Sequence, residues 1–357
     1  MRCDIVIPVW NELEATKGCV DSILKYTDYP FRLIIIDNGS EDSTRSYLDG
    51  LTSEKRMSLT LVRNGANLGF VVASNQGLRL SDAPYVCLMN NDTAPADGWL
   101  GEMIRIIDSD RAIGMVNPSS NTSGQSPSKG QSIDDYASTL KRFKGQRQEL
   151  FNCRGFCMLL KREVIEKVGF LDEVYGIGYF EETDYCRRAH ELGYTAVRAK
   201  ASYVYHKERA TFDRLKDAGE LFRKNEEIFL KKWGRPVGVA YLVDELSEGQ
   251  RVDGIALAVA RLGHRVSIFL KRGLSWPVSV DHFDIRRFDV GSLFFAFVSA
   301  YKIFRRRRKK PLEIVITDNG RIGTFLKLLR PLHGADIAIG ACDREIKALL
   351  DRKSRSR

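Results

Sequence analysis

The stretch that decides the fold reads Tyr85-Val-Cys-Leu-Met-Asn-Asn-Asp92. Five largely apolar residues are followed directly by two side-chain amides and a carboxylate. A short apolar run that ends in turn-forming residues predicts a buried strand. Asn90, Asn91 and Asp92 then stand at the carboxyl end of this strand, which is where ligands of open α/β sheets bind.

The same alternation of short apolar runs and amphipathic stretches surrounds this strand. Strands that alternate with helices predict a largely parallel sheet with helices on both faces. The predicted strands are 4–8, 32–37, 59–63 and 85–90, and the predicted helices between them are 13–26, 43–51 and 70–80. The sequence therefore predicts an α/β fold.

Each of the four predicted strands ends in a polar cluster. Pro8–Glu12 follows the first strand, Asp37–Ser40 the second, Asn64–Asn67 the third and Asn90–Asp92 the fourth. Because the carboxyl ends of parallel strands lie at the same edge of a sheet, we expect all four clusters to line one crevice.

The rest of the first predicted domain is less regular. Residues 117–148 are rich in Ser, Asn, Gly, Gln and Lys, which predicts a long surface loop. Beyond it, the pattern predicts an apolar strand at 156–160, a helix at 163–168, a helix that begins near Glu181 and a strand at 202–206.

A change of composition at Trp233-Gly-Arg-Pro236 marks the predicted domain boundary. We expect domains at 1–235 and 236–350, followed by a basic tail at 351–357. The second domain repeats the βα alternation, but its first turn has no Gly-x-Gly-x-x-Gly motif. The sequence therefore predicts a Rossmann-like domain without a dinucleotide site there.

Size, charge and cysteine use limit the functional classes. The 357 residues are 43% hydrophobic and carry a formal net charge of +10, which suggests an anionic partner. Seven scattered cysteines, mostly in apolar runs, indicate reduced thiols in a cytoplasmic protein. Because no run of about 18 apolar residues exists, we expect a soluble protein or one on a membrane surface.

Two aspartates at strand ends each allow two interpretations. Asp92 could bind a hard divalent cation that grips phosphate oxygens, or it could only satisfy backbone donors in a turn. The gathering of four polar clusters favours the metal site. Asp37 could accept the imide hydrogen of a uracil or thymine ring, or it could cap the turn before a helix near Ser43. The segment Asn67-Leu-Gly-Phe70 would supply amide groups near the same ligand.

The acids Glu181, Glu182 and Asp184 stand at a predicted helix start, which favours negative charge. Asp184 and Arg188 have the spacing of a surface ion pair, so a solvated helix face is one interpretation. In the other, one of the acids serves as a general base behind a flexible Gly176-Ile-Gly178 segment. His206 could complete a metal site or be structural.

Six motifs in order resemble the family-two GT-A glycosyltransferases, an inverting family. The resemblance runs from Asp4 to about Trp233. Its landmarks are Ile5-Val-Ile-Pro-Val-Trp-Asn-Glu12, Ile36-Asp-Asn-Gly-Ser-Glu-Asp-Ser43, Asn67-Leu-Gly-Phe70 with Asn75-Gln-Gly77, Leu88-Met-Asn-Asn-Asp92, Gly169-Phe-Leu-Asp-Glu173 and Phe180-Glu-Glu-Thr-Asp184. The resemblance implies a three-layer αβα fold with a mostly parallel sheet.

The resemblance also implies roles for particular residues. The second acid of the family's Glu-Asp pair is the base, so Glu182 inherits this role, with Asp184 as its rival and Glu181 beside it. Asp92 is the implied ligand of Mg²⁺ or Mn²⁺; because Asn90 replaces the first aspartate of the Asp-x-Asp motif, His206 would compensate. The residues assigned to the nucleotide sugar are Pro8, Val9, Asn11, Glu12, Asp37, Asn67, Gly69, Asn75, Asn90 and Asn91.

The implied reaction is a single in-line displacement that inverts the anomeric carbon. A UDP- or dTDP-sugar donates a hexosyl or deoxyhexosyl group to a hydroxyl of a glycan or lipid-linked acceptor, as in bacterial surface polysaccharide synthesis. Glu182 takes the proton of the hydroxyl, and the cation offsets charge on the departing diphosphate.

The second predicted domain has a fainter resemblance to the amino-terminal half of a GT-B glycosyltransferase, at 239–244, 258–266 and 313–317. Within this domain, residues 293–310 join an aromatic and aliphatic helix to the cationic run Arg305-Arg-Arg-Arg-Lys-Lys310. Such a helix could lie on an anionic membrane at the inner face of the cell, or it could pack in the core with a solvated basic end.

Two other functional classes remain as rivals. A sugar-phosphate nucleotidyltransferase would share the layered fold and a metal carboxylate, but the expected glycine-rich loop is replaced by Pro8-Val-Trp-Asn11. A non-catalytic scaffold that binds nucleic acid or membranes would explain the net charge of +10. The positive charge concentrates in 305–310 and 352–357 without a base-reading module, so we expect no nucleic-acid partner.

Overall fold

The computed structural model describes residues 1–53, 57–207, 217–245, 249–274, 281–291, 294–306 and 311–356. The chain forms two compact units, Met1–Ile228 and Phe229–Arg357. The division falls seven residues before the sequence-based boundary after residue 235, inside a helix that runs from Ala218 to Trp233. Because this helix is continuous, no change of composition marks the position in the sequence.

The first unit alternates strands and helices. Its strands are β1 (Cys3–Val9), β2 (Phe31–Asp37), β3 (Ser58–Arg63), β4 (Tyr85–Met89), β5 (Thr93–Pro95), β6 (Ile113–Ser119), β7 (Arg147–Leu150), β8 (Cys157–Lys161) and β9 (Thr195–His206). Its helices are α1 (Leu13–Tyr26), α2 (Asp42–Thr52), α3 (Phe70–Leu80), α4 (Trp99–Asp108), α5 (Ile133–Leu140), α6 (Arg162–Val168), α7 (Glu181–Glu191) and α8 (Ala218–Trp233).

One sheet organises this unit, with the strand order β3-β2-β1-β4-β8-β6-β9-β5 and with β7 paired to β9. The first four strands are parallel, and β8 runs antiparallel between β4 and β6. In β1 every residue is buried, as expected for a strand that is covered on both faces. The parallel α/β core that the sequence predicts is therefore confirmed.

Helices cover the two faces of the sheet because side chains alternate along each strand. On one face Ile5 and Ile7 join a core cluster with Ile23 of α1 and Trp99 of α4. On the other face Val6 lies against α3, where Gly77 leaves no room for a β-carbon. The close approach of α3 to β1 thus requires a glycine at this position.

Residues 117–148 do not form the predicted surface loop, and that prediction is wrong. The strand β6 ends within this stretch, and α5 and β7 follow it. Ser132 caps α5 by accepting a hydrogen bond from the Asp135 backbone, and the apolar face of the helix packs on Tyr203. The polar composition belongs to the solvent face of an amphipathic helix.

The second unit contains a purely parallel sheet with the strand order β12-β11-β10-β13-β14. In chain order this is 3-2-1-4-5, which is Rossmann-like and confirms the prediction of a smaller Rossmann-like domain. Its strands are β10 (Gly238–Val243), β11 (Arg265–Lys271), β12 (Ile285–Val290), β13 (Ile314–Thr317) and β14 (Asp336–Ile339). Its helices are α9 (Gly249–Arg261), α10 (Phe295–Arg306), α11 (Gly320–Leu328), α12 (Arg330–His333) and α13 (Asp343–Arg355).

The prediction of a separate basic tail at 351–357 is wrong for residues 351–355. Residues 351–355 are the last turn of α13. Leu350 and Ser354 are buried, so this end of the helix packs against its own unit. Arg357, together with 292–293 and 307–310 of the predicted basic helix, lies outside the described residues.

Two further observations bear on the class of protein. Within the described part of the chain, no helix combines the length and the apolar character needed to cross a bilayer. All seven cysteines are free, and six of them are buried.

The packing of α3 on β1 gives a test of the fold. An alanine in a helix is normally more stable than a glycine by about 1 kcal/mol. At Gly77 the added methyl group would overlap Val6 Cγ1, so we expect Gly77→Ala to lower the free energy of unfolding by about 1–3 kcal/mol. The matched control is Gly50→Ala in α2, which meets no atom within 4 Å and should be neutral or stabilising.

Both variants are measured by chemical denaturation of the full chain. The overlap accounts for the loss if adding Val6→Ala to Gly77→Ala recovers part of it. A Gly77→Ala protein as stable as Gly50→Ala would show that α3 does not approach β1 this closely.

Candidate active site

The polar clusters at the ends of β1, β2 and β3 are joined by hydrogen bonds. Asn38 is central: its Oδ1 accepts from Asn64 Nδ2 at 2.9 Å and its Nδ2 donates to Asn67 Oδ1 at 2.7 Å. Asn11 links the first cluster to the second, since its Oδ1 accepts from the Glu41 backbone at 2.7 Å. The structure therefore brings these three clusters together, as the parallel strands required.

Asp37 is engaged within the protein. Its side chain is 1% exposed; Oδ1 accepts from the Ser40 backbone at 2.9 Å, and Oδ2 accepts from Arg63 Nη1 at 2.9 Å. These contacts give Asp37 the turn-holding role, which was the alternative to nucleobase recognition. In this conformation its carboxylate offers no exposed oxygen to a base.

The chain leaves β1 through two left-handed residues. Pro8 and Val9 are the buried end of the strand, and Asn11 and Glu12 follow with φ of 58° and 57°. Non-glycine residues with positive φ are uncommon, and such strain persists where surrounding contacts impose it. Here the Asn11 contacts to the β2 turn impose it, and they direct the chain into α1.

The motif at the start of α3 contacts the segment that precedes α7. Asn67 Oδ1 accepts from the Gly69 backbone at 2.9 Å. Gly69 has φ of 88°, and a β-carbon there would lie 3.0 Å from the carbonyl oxygen of Gly176. A glycine is therefore required at this close approach.

Asn75 makes packing contacts inside the first unit. Its side chain is fully buried; Oδ1 accepts from the Leu171 backbone and Nδ2 donates to the Leu171 carbonyl, both at 3.0 Å. This double contact fastens α3 to the segment before α7. Its assignment to the nucleotide sugar stays a prediction.

A cavity of about 470 Å³ lies at the carboxyl end of β4, beside the start of α7. Four of the predicted site residues line it: Asn90, Glu181, Glu182 and His206. The remaining lining residues are Phe70, Thr122, Asn152, Arg154, Gly155, Phe156 and Tyr179.

Asp92 and His206 are brought together by the antiparallel pairing of β5 with β9. His206 Nε2 lies 3.1 Å from Asp92 Oδ1, and the Phe156 ring stacks on the imidazole with centroids 5.2 Å apart. The turn between β4 and β5 is held by Asn91, whose Nδ2 donates to Thr16 Oγ1 at 2.9 Å.

Asp92 and Asn90 offer buried side-chain oxygens that could bind a divalent cation. Asp92 is 5% exposed, and its buried Oδ1 faces His206 Nε2 at 3.1 Å without a well-aligned hydrogen bond; Asn90 Oδ1 is also buried and has no donor among the described residues. Buried oxygens without donors are costly unless a ligand satisfies them. The described residues contain no group of three or more His, Cys, Asp or Glu able to hold a metal, so a cation here would need further ligands from substrate or water.

The two glutamates at the start of α7 have perturbed acidity. Burial, followed by the charge of Glu182, raises the pKa of Glu181 well above its ordinary value. Burial also raises the pKa of Glu182, and the nearby Arg154 guanidinium works against that rise. One carboxylate oxygen of each glutamate is buried without a hydrogen-bond partner among the described residues. Both features are typical of groups that act on a substrate.

The segment before α7 is fixed from α8. Asn225, which is 1% exposed, donates through Nδ2 to the carbonyls of Tyr175 at 2.8 Å and Gly178 at 2.6 Å. Tyr179 and Phe180 then have φ of 71° and 73°, a second left-handed pair of non-glycine residues. The segment that was expected to be flexible is thus tethered by a buried side chain, and it sets where α7 begins.

Asp184 lies away from the cavity lining. It is fully buried, and its Oδ2 accepts from Arg188 Nε at 2.8 Å. Arg188 also donates to the carbonyls of Val168 at 2.9 Å and Phe170 at 2.8 Å. The pair expected on the surface is therefore an internal contact between α7 and the end of α6, which corrects that expectation; the rival role of Asp184 as base stays a prediction.

Several lining residues were not found from the sequence. Arg154 is the most consequential, because its charge acts on Glu182 and its Nη1 donates to the Thr122 carbonyl at 2.6 Å. Asn152 and Tyr179 also line the cavity. The available signal was a cation and a glycine directly before an apolar strand, which is too common a pattern to identify a site.

Comparison with known proteins agrees with this architecture. The chain is 25% identical over 248 residues to an uncharacterized protein, y4gI, of Sinorhizobium fredii, covering 64% of this chain and 27% of that protein. It is 25% identical over 119 residues to a chondroitin synthase of Pasteurella multocida, covering 32% of this chain and 12% of the synthase. The chain thus spans well under two thirds of these relatives.

A solved structure shows the same fold. The mannosyltransferase PcManGT of Pyrobaculum calidifontis, in complex with GDP-Man and Mn²⁺, superposes with a TM-score of 0.50 at 20% identity, covering 64% of this chain and 63% of that one. Residues 4–169 match the family model of glycosyl transferase family 2. Residues 4–169 are thus similar to glycosyl transferase family 2, and the first unit has the GT-A fold of the mannosyltransferase.

Proposed function

We propose that this chain is an inverting, metal-dependent glycosyltransferase. It moves a hexosyl or deoxyhexosyl group from a UDP- or dTDP-sugar to a hydroxyl of a glycan or lipid-linked acceptor in surface polysaccharide synthesis. The observation that carries the proposal is that His206 and Glu182 line one cavity of about 470 Å³ while the Asp92 carboxylate lies 3.1 Å from His206. A group that can hold a diphosphate through a cation and a group that can take a proton thus share one space.

Asp92 and His206 would hold Mg²⁺ or Mn²⁺. When bound, the cation supplies positive charge that stabilises the departing nucleoside diphosphate. The buried Asp92 oxygen that faces His206 Nε2 at 3.1 Å supports this role, as does the Mn²⁺ in the structurally similar mannosyltransferase. Phe156 keeps the imidazole in one orientation by stacking on it.

Glu182 would act as the general base. It takes the proton of the acceptor hydroxyl while the acceptor oxygen bonds to the anomeric carbon and the bond from that carbon to the diphosphate breaks. Burial raises the pKa of Glu182 towards the range that proton transfer at neutral pH requires, and the Arg154 guanidinium opposes that rise. Glu181 is its buried neighbour, and Asp184 holds α7 in place through Arg188.

The nucleotide would lie along the ends of β1, β2 and β4. Pro8, Val9, Asn11, Glu12, Asn67, Gly69, Asn90 and Asn91 shape this edge, mostly through backbone turns. The identity of the base is open to test, because Asp37 is engaged internally. The proposal includes a cytoplasmic location in which residues 293–310 reach an anionic membrane surface.

Ligand-dependent stabilisation tests the metal and the nucleotide together. A ligand at about 100 times its Kd that binds only the folded state stabilises it by about 2.7 kcal/mol. We expect UDP or dTDP to raise the melting temperature in the presence of Mn²⁺, and Asp92→Ala to abolish the metal-dependent part of the rise. The measurement is a thermal-shift screen of UDP, dTDP and GDP, each with and without Mn²⁺.

The control variant is Asp97→Ala, since Asp97 follows shortly after Asp92 and its side chain is 66% exposed. It should retain the full shift. Equal shifts for every nucleotide, with or without the cation, would contradict the proposal.

A comparison of Glu182 with Asp184 tests the assignment of the base. Glu182→Gln removes the proton acceptor and should lower kcat by about 10²–10⁴-fold with the melting temperature nearly unchanged. Asp184→Asn breaks a buried ion pair and should lower the free energy of unfolding by about 1.5–3 kcal/mol. Nucleoside diphosphate release and chemical denaturation are measured on both proteins. The opposite pattern, with turnover lost in a stable Asp184→Asn protein, would transfer the role to Asp184.

The raised pKa of Glu181 predicts a pH dependence of stability. A carboxyl group whose folded-state pKa is raised loses stability as the pH rises through that pKa, because ionisation costs more in the folded chain than in the unfolded one. The wild-type protein should therefore lose stability relative to Glu181→Gln as the pH rises above the ordinary value of 4.5. We expect the variant to be the more stable protein at neutral pH.

Chemical denaturation between about pH 5 and 8 measures this difference. Glu163→Gln, at an exposed position in the first turn of α6, is the matched control and should follow the wild type. A constant difference between Glu181→Gln and the wild type across this range would show that folding does not raise the pKa of Glu181.

A further inference from the structure

Helix α10 is apolar on two faces, one of which is buried and the other exposed. One face is packed in the core of the second unit, where Phe295, Ser299 and Ile303 are buried. The other face is exposed and aromatic, and its members recur at spacings of three, four and three residues. This aromatic face consists of Phe294 (70% exposed), Phe297 (59%), Tyr301 (60%) and Phe304 (49%).

The aromatic face continues onto two neighbouring helices. The Phe297 ring contacts Phe325 of α11 with centroids 4.6 Å apart. Beyond Phe325, Leu328 is 75% exposed and Leu332 of α12 is 58% exposed. The solvent side of a soluble helix is normally polar, so large exposed apolar side chains on three adjacent helices mark an interaction surface.

The charged residues on the helices of this surface are all basic. Neither 294–310 nor 320–333 contains an aspartate or a glutamate. Arg305 and Lys327 are exposed cations, and the exposed Arg330 pairs with Asp336 of β14 at 2.6 Å. An aromatic surface bordered by cations and free of acids on its own helices complements an anionic and apolar partner.

We propose that α10, α11 and α12 form a docking surface for an anionic lipid bilayer, with the aromatic face in the interfacial region and the cations at the headgroups. A second copy of this chain would bring two cationic surfaces together, which disfavours self-association through this face. This proposal names the surface through which the membrane contact of the proposed function would occur. It rests on the proposed function in one respect, which is that membrane contact would give the site access to a lipid-linked acceptor.

The test is binding of the full chain to vesicles of phosphatidylcholine with and without phosphatidylglycerol, measured by flotation. We expect binding only to the anionic vesicles, and weaker binding as the salt concentration rises. Tyr301→Ser with Phe304→Ser should reduce binding about tenfold or more, and Arg305→Glu with Lys327→Glu should do the same. All four side chains are exposed, so we expect both double variants to fold. Their melting temperatures verify this.

Matched controls lie elsewhere in the same unit. Phe283→Ser removes a phenylalanine that is 56% exposed, and Arg286→Glu reverses an exposed charge; neither should change vesicle binding. Glu182→Gln should bind vesicles like the wild type, so loss of activity and loss of docking are separate results. Equal binding to neutral vesicles, no effect of the four substitutions, or a lipid-free dimer that the aromatic variant dissociates would each overturn the proposal.

Discussion

The antiparallel pairing of the three-residue strand β5 with the end of β9 is the constraint on which the candidate site depends. It sets Thr93 opposite His206 and thereby places the Asp92 carboxylate beside an imidazole from a distant part of the chain. The pairing also fixes the turn that exposes Asn90 to the cavity. Without β5, the carboxyl end of β4 would present its polar residues to solvent with no opposing ligand. A few ladder hydrogen bonds therefore decide whether the site has one potential cation ligand or two.

Unsatisfied and strained groups concentrate around this constraint. Asp92, Asn90, Glu181 and Glu182 each have a buried oxygen without a hydrogen-bond partner in the described chain. Left-handed pairs of non-glycine residues stand at the entrance to α1 and at the entrance to α7. Each feature costs free energy that packing elsewhere must offset. The buried oxygens of Asn90, Glu181 and Glu182 belong to residues that line one cavity, as expected for a site that binds a ligand.

The parallel core could be predicted from sequence because strands buried on both faces are continuous apolar runs, as in Leu33-Ile-Ile-Ile36. The helix α5 could not, since its polar surface hides the few apolar residues that pack on Tyr203. Glu182 and Asp184 illustrate a second limit. Both stand in the first turn of α7, and only the phase of the helix decides that one faces the cavity and the other pairs with Arg188. That phase is set by Asn225 and the left-handed Tyr179, which are far from the motif or outside it.

The distribution of charge explains why a net charge of +10 need not indicate nucleic acid. In the first unit the acids at the strand ends and at α7 are buried or paired, and the cavity contains two glutamates beside Arg154. In the second unit the cations on α10, α11 and α12 accompany exposed aromatic side chains. The phosphate backbone of duplex DNA is bound by cations and polar groups, and a stripe of exposed phenylalanines would remain in water in such a complex. A bilayer would satisfy the aromatic and the cationic side chains at the same time, so the proposed membrane contact rests on the presence of both kinds of residue on the same helices and not on the total charge.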